Sequence, residues 1–334
     1  MADVMEPYLR EQLEKRRDEL KHAIASPSAH TAHPSFINLL REVDSALERM
    51  NAGAYGICEV CHDSIEKDRL ICDPLTRLCI DHLTNEEQRA LEGDLELASR
   101  IQRGLLPQNE LNIRGWQIHY QYRPAGLVSG DYCDVIAPAG DGERPIFLLG
   151  DVAGKGVAAS LLMTHLHAMF RSLASMDVGA DKLLDLGNRI FCESTIAGQY
   201  ATLVCGRVGN AGDIEIASAG HLPALHVSRS GVEEVSSTGL PLGMFSTSSY
   251  AVTRVHLDQG DSLLLFTDGI SEAVDAKGSE YGIERLSVIA GEQYGGGPRG
   301  FLTECIEDVR MFSSGARQRD DQTLMIVHRT DTAA

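Results

Sequence analysis

Phe147-Leu148-Leu149-Gly150-Asp151-Val152-Ala153-Gly154-Lys155-Gly156 is the stretch from which the fold can be read. The apolar run Ile146 to Leu149 reads as a buried strand, and it stops at Gly150-Asp151. A glycine-dense turn follows, in which Gly154 and Gly156 tolerate backbone conformations closed to other residues. A helix then spans about 157–174, apolar on most sides. Asp151 therefore stands at the mouth of a strand, as a turn-former or as a metal ligand.

Three other stretches bear on that choice. Leu263-Leu264-Leu265-Phe266-Thr267-Asp268-Gly269 repeats the design of apolar strand, Asp, Gly. Ser129-Gly130-Asp131-Tyr132-Cys133-Asp134 puts an acid at the start of a strand-like run, and Asp320-Asp321 directly precedes the run Thr323 to Val327. Four carboxylates at four strand ends can converge on one point. Gathered carboxylates repel, and they are protonated or destabilising unless a hard cation lies among them. The pattern points to a Mg²⁺ or Mn²⁺ site with more than one ion.

Strands are expected at about 116–123, 131–137, 145–150, 200–208, 213–218, 223–228, 251–257, 261–267 and 322–329. Helices are expected at about 157–174, 180–196, 282–291 and 298–313. Many strands joined by short turns, with helices in separate blocks, imply an α+β layered sandwich with antiparallel sheets.

Six motifs stand in one order: Ser129 to Asp134, Gly150 to Gly156, Ala217-Ser-Ala-Gly-His-Leu-Pro223, Gly239-Leu-Pro-Leu-Gly243, Phe266-Thr-Asp-Gly-Ile-Ser-Glu272 and Asp320-Asp-Gln-Thr323. With them, residues about 111–330, within a phosphatase domain of 111–334, resemble a PPM-type metal-dependent protein phosphatase of the SpoIIE/RsbU branch. The resemblance implies two central antiparallel sheets flanked by helices on both sides, with the metals at one end. It implies that Asp151 bridges both ions, that the backbone carbonyl of Val152 binds one, and that Asp131, Asp268 and Asp320 complete the set. Between Asp320 and Asp321 the motif alignment favours Asp320. Two cations about 3.5–4 Å apart bridge a water, lower its pKa and clamp phosphoryl oxygens for in-line attack. The implied substrate is a phosphoserine or phosphothreonine on a STAS-domain anti-sigma-factor antagonist. Cys133 stands where that family commonly has an aromatic residue, and Asp134 reads as a hydrogen-bonding neighbour of the site. His221 reads as a loop-holding residue or as the donor to the leaving oxygen, and His165 and His167 as packing. Arg123 and Lys155 are candidates for phosphate contact.

Rival chemistries lack their residues. No cysteine begins Cys-x5-Arg, and the Gly150 to Gly156 turn has neither the spacing nor the Ser or Thr of a nucleotide-binding P-loop. The net charge of −18 disfavours nucleic acid and anionic membrane surfaces as partners. No run reaches the length of a membrane span, and Met1 to Glu6 does not begin a signal peptide. A cytoplasmic protein with reduced or metal-bound cysteines is expected. A noncatalytic signalling adaptor, or a zinc-finger transcription regulator with a phosphatase-like domain, is the alternative.

The first 83 residues read as a helical hairpin followed by a small zinc site. Helices are expected over 7–25 and 36–51, broken by the Pro-containing stretch Ser26 to Ser35, with Leu39, Leu40, Val43, Ala46 and Leu47 on one face. Cys58-x-x-Cys61, seventeen residues, then Cys79-x-x-His82 is the spacing of a four-ligand Zn²⁺ site. Together with Ala54 to Cys58, Arg69-Leu70 and Pro74, it resembles the DksA/TraR zinc finger, with His82 where that family usually has Cys. Cys72 lies off the ligand spacing and reads as a small core residue. The hairpin tip carries no acid, unlike that family's, so the region reads as a sensor, dimerisation or docking module. Residues 84–110 form a connector helix that starts at Thr84-Asn85-Glu86-Glu87 and ends at Pro107. Its stripe Leu91, Leu95, Ala98, Gln102 and Leu105 is either a homodimer seam or a face packed on its own phosphatase domain.

Overall fold

The computed structural model describes residues 5–25, 34–83, 85–113, 115–137, 144–176, 178–196, 198–209 and 211–330. Two units divide the chain, Met1–Asp94 and Leu95–Ala334. In the second, two sheets face each other. The five-stranded sheet has the order β3-β4-β5-β6-β9, from Asp131–Ile136, Ile146–Val152, Ala201–Val208, Asp213–Ala219 and Thr253–His256. The six-stranded sheet has the order β1-β2-β11-β10-β7-β8, from Glu110–Ile113, Trp116–Arg123, Gln322–Arg329, Ser262–Phe266, Ala224–Ser228 and Gly231–Val235. All these strand pairs are antiparallel.

Side chains alternate along a strand, so each central strand serves two cores. Phe147 and Leu149 of β4 enter the layer between the sheets with Val204, Leu263, Leu265, Met325 and Val327. Ile146 and Leu148 point the other way, into the layer under α5 (Gly156–Leu173) and α6 (Ala180–Ser194), beside Tyr132, Leu166, Phe170 and Phe191. Leu264, Phe266, Leu324 and Ile326 leave the far face of the six-stranded sheet to meet Leu286 of α8 (Ile283–Glu292) and Phe301 of α9 (Pro298–Phe312). Coverage on both faces explains why these strands are unbroken apolar runs. The result is helices, sheet, sheet, helices, the α+β sandwich expected from the sequence.

Two strands and two helices escape the sequence reading. β1 and β8 are edge strands of four and five residues whose side chains are exposed or half-buried. Helices α3 (Lys67–Cys72) and α7 (Asp268–Ser271) are too short for a helical stripe.

In the first unit, α1 (Met5–Ala25) and α2 (Pro34–Asn51) share one core. Leu9 and Leu13 meet Val43, Ala46, Leu47 and Met50, and the core continues into Cys58, Ile65, Leu70 and Cys79. The apolar face of α2 is thus hairpin packing. The hairpin tip at 26–33, Thr84 and the side chain of Cys72 lie outside the described residues. Helix α4, Asn85–Leu105, carries the connector pattern. No helix among the described residues is long and apolar enough to cross a membrane.

Candidate functional site

Register assembles the acids. In the β3–β4 pair Asp131 lies opposite Asp151, and in the β4–β5 pair Asp151 lies opposite Thr202. Alternation puts Asp131 on the same face as Cys133, and Asp151 on the same face as Leu149, so both acids look into the layer between the sheets. Gly150 makes this pairing possible. A Cβ there would stand 2.8 Å from Leu203 Cδ1, closer than side chains pack.

The facing sheet supplies the other half by the same rule. Thr323 shares its face with Met325 and Val327, and Thr267 shares its face with Leu265. Both hydroxyls cross the layer and donate to Asp131 Oδ2, Thr267 at 3.0 Å. The two segments also lock to each other. The Thr267 N–H bonds the Thr323 carbonyl at 3.1 Å, and the Thr323 N–H bonds Thr267 Oγ1 at 3.0 Å. Gly269 lets Asp268 and Asp320 come together, because a Cβ on it would strike the Asp321 carbonyl oxygen and lie 3.2 Å from Asp320 Cβ.

The charges are strained as the sequence predicts. Burial, then repulsion from Asp268, Asp320 and Asp321, lifts the Asp151 carboxyl to about 7. Asp268 is raised by burial and by Asp320, and fully buried Asp131 is raised well above the carboxylate range by burial and by Asp151. Asp131 Oδ2 is occupied by two hydroxyls, and Oδ1 has no hydrogen bond among the described residues. These carboxylates lie near enough to repel, although among the described residues no three of them bring oxygens within 4.8 Å of one another, and carboxylate oxygens are the donors that a hard divalent cation draws together. The Val152 carbonyl flanks these acids, 3.2 Å from where a Cβ on Gly130 would lie.

Asp320 and Asp321 do different work. Both oxygens of Asp321 accept backbone N–H groups, from Ala125 at 2.7 Å and Gly130 at 2.9 Å. Asp320 bears the Lys155 ammonium, which also donates to the Arg319 carbonyl at 2.9 Å. Asp321 therefore clamps the turn before Asp131, while among the described residues the Asp320 carboxylate accepts only Lys155 and, on Oδ1, the N–H of Asp321 at 3.0 Å.

Other readings shift. Asp134 is not at the site. It points with Tyr132 toward α5, where Arg171 holds both its oxygens at 2.8 and 2.7 Å and His167 approaches to 3.5 Å. His165 bonds Ser194 at 2.8 Å, so neither of these histidines is plain packing. Cys133 is buried in the inter-sheet layer two residues below Asp131. His221 is 5% exposed, its Nδ1 shares a hydrogen with Thr202 Oγ1 at 2.9 Å, and burial pushes its imidazole down to about 4. A neutral, enclosed imidazole fits the loop-holding role, because it carries no proton to give at neutral pH. Arg123 lines a cleft of about 350 Å³ with Lys155, Glu272, Arg319 and Asp320. Within the second unit, Gln102 of α4 is buried and clasps Ser129 twice, donating to its carbonyl at 2.7 Å and accepting its N–H at 3.0 Å. That position of the connector stripe packs on its own domain. Thr267, Thr323 and Gln102 were visible only as motif or stripe members, because their partners are remote in sequence.

In the first unit, ligand atoms of Cys58, Cys61, Cys79 and His82 all lie within 4.8 Å of one another. Cys61 and Cys79 sulfurs are 3.7 Å apart, and His82 Nδ1 is 3.1 Å from Cys79 Sγ. A tetrahedral ion with metal–sulfur bonds of about 2.3 Å separates its sulfurs by about 3.8 Å, so the arrangement fits a four-coordinate metal.

Comparison with known proteins bears on the second unit. IcfG of Synechocystis is 25% identical over 269 residues, 71% of this chain and 41% of that protein. Phosphoserine phosphatase RsbU of Bacillus subtilis is 28% identical over 193 residues, 55% of each chain. The chain spans about half the length of the curated relatives it matches. Among solved structures, the SiaA PP2C domain of Pseudomonas aeruginosa superposes with a TM-score of 0.63 at 18% identity, covering 73% of this chain and 98% of that one, a likeness of fold. The family described as Stage II sporulation protein E (SpoIIE) matches residues 141–330, a span that includes β4 through β11. With more than half of its length inside that match, the chain belongs to the SpoIIE family.

Proposed function

We propose that this chain is a Mn²⁺- or Mg²⁺-dependent protein phosphatase acting on phosphoserine or phosphothreonine of a signalling protein. The observation that carries the reading is the repulsion among Asp151, Asp268 and Asp320 near the ends of both sheets, which together with burial lifts Asp151 to about 7. Asp131 through Oδ1, Asp151, the Val152 carbonyl, Asp268 and Asp320 would hold the ions. Such ions, when bound, supply an activated water and neutralise phosphoryl charge for in-line displacement. Thr267 and Thr323 fix the orientation of Asp131, and Asp321 fixes the turn that carries it. His221 keeps β5 and the turn after β6 together through Thr202.

The resemblance names the substrate class, a phosphorylated STAS-domain anti-sigma-factor antagonist, in the cytoplasm. RsbU, described as a phosphoserine phosphatase, supports a protein phosphoester as substrate. Cys58, Cys61, Cys79 and His82 would hold a structural Zn²⁺, for which their spacing is suited. The domains of this reading are 1–83, 84–110 and 111–334. The zinc module regulates the phosphatase through the connector helix, on whose stripe the exposed Leu91 is available to a homodimer seam.

The test is phosphate release from a phosphoserine STAS-domain protein, with and without Mn²⁺, by the full chain and by Asp151→Ala and Asp268→Ala. Manganese-dependent release that both substitutions abolish is expected. Full activity in either variant would refute the mechanism.

A further inference from the structure

A groove of about 670 Å³ opens beside the acid cluster, and its two walls differ in kind. One wall is apolar. Leu127, from the loop between β2 and β3, is 47% exposed, and Val157, at the start of α5, is 50% exposed. Leu161, one turn beyond Val157, is 65% exposed and continues the strip along the helix. The other wall is cationic. Arg317 and Arg319 stand exposed on the segment leading into β11, and among the described residues neither pairs with a carboxylate. Lys155, Asp320 and Asp321 join the walls, so the groove is continuous with the candidate catalytic centre.

We propose that this groove seats the phosphoserine-bearing face of the protein substrate. Apolar residues beside the phosphoserine lie on Leu127 and Val157, and Arg317 and Arg319 draw the phosphoryl dianion toward Asp320. The proposal rests on the reading of the chain as a phosphoprotein phosphatase.

Two arguments choose this occupant. A small phosphate ester would leave the aliphatic strip in water, whereas a protein face covers it, each buried aliphatic side chain being worth about a factor of ten in affinity. A second copy of the chain would bring another −18 of charge toward the first, while a phosphorylated residue meets two unpaired guanidiniums suited to its oxygens. The same geometry gives direction to the cycle. Loss of the phosphoryl group removes what the arginines hold, so the product leaves more readily than the substrate.

The test measures binding apart from turnover. Titration calorimetry with a phosphorylated STAS-domain protein uses the full chain carrying Asp151→Asn, so that substrate is not consumed. Leu127→Asp, Val157→Asp and Arg319→Glu, each in that background, should weaken binding about tenfold or more, and the dephosphorylated protein should bind about tenfold more weakly than the phosphorylated one. Val288→Asp, at a more exposed site on α8, should leave binding as it was. Binding within about twofold of the parent in all three groove variants overturns the proposal, as does failure of the parent to bind. A dimer that dissociates on Leu127→Asp with substrate binding intact gives the groove to a second copy and overturns it too. Groove-dependent binding without manganese-dependent phosphate release by the unsubstituted chain would refute the catalytic reading alone and leave the groove assignment standing.

Discussion

Replacing Asp151 with asparagine should stabilise the chain when no divalent ion is present. In the fold this carboxyl loses its proton near 7, because it is buried and faces Asp268 and Asp320. In the unfolded chain an aspartate does so near 3.9. A folded value above the unfolded one contributes stability that is full below about 3.9 and is lost as pH rises through about 7. Above both values the charge costs the fold at most about 4 kcal/mol. The measurable part is smaller, about 2 kcal/mol, because neighbouring acids share the repulsion and a buried amide has its own desolvation cost. For a unit of this size that corresponds to about 4–8 °C in melting temperature. The assay is a thermal melt in divalent-free buffer at pH 8.5 and at pH 4. Asp151→Asn should melt above the parent at the higher pH and with it at the lower. Added Mn²⁺ should raise the parent and leave the variant where it was. A variant that melts at or below the parent at pH 8.5, while matching it at pH 4, would show that these acids do not repel in the fold.

Asp321→Ala should destabilise the metal-free chain by about 3 kcal/mol in urea unfolding, since two charge-accepted backbone bonds are lost. Asp320→Ala should change metal-free stability little and abolish the Mn²⁺-induced rise, the opposite signature from its neighbour. Cys61→Ser should remove the zinc otherwise bound at one ion per chain, read by elemental analysis of the purified protein.

How legible the site was depended on how local its signals were. Strands β4, β10 and β11 stood out because burial on both faces leaves no polar interruption, and Asp151 and Asp268 stood out because a strand ending in Asp is a pattern within one segment. Edge strands β1 and β8 offered no such pattern, being short and half in water. The division of labour between Asp320 and Asp321 was out of reach of spacing alone. It depends on the Ala125 and Gly130 amides, 196 and 191 positions away, which take both oxygens of Asp321, while among the described residues Asp320 is held only by its neighbour's N–H and by Lys155. Asp134 misled because Asp131 on the same strand belongs to the candidate site, yet residues three apart on a strand face opposite ways and Arg171 claims Asp134 on the helix side. The Cys and His pairs of the first unit were legible because ligand spacing is local within each pair, and the fold needed only to bring the two pairs together.

The opposition of Asp131 and Asp151 across β3 and β4, with Thr267 and Thr323 reaching from the other sheet, makes this centre a gauge of correct assembly. A slip of one residue in either sheet turns every side chain of the strand to its other face. Tyr132 would then stand where Asp131 belongs, and the hydroxyls would point into the outer layers. A chain caught in such a misfold keeps its sheets but has nothing with which to gather cations. Errors of folding would therefore yield silent molecules rather than unregulated ones, which is the safer failure for a protein whose proposed task is to erase a signal.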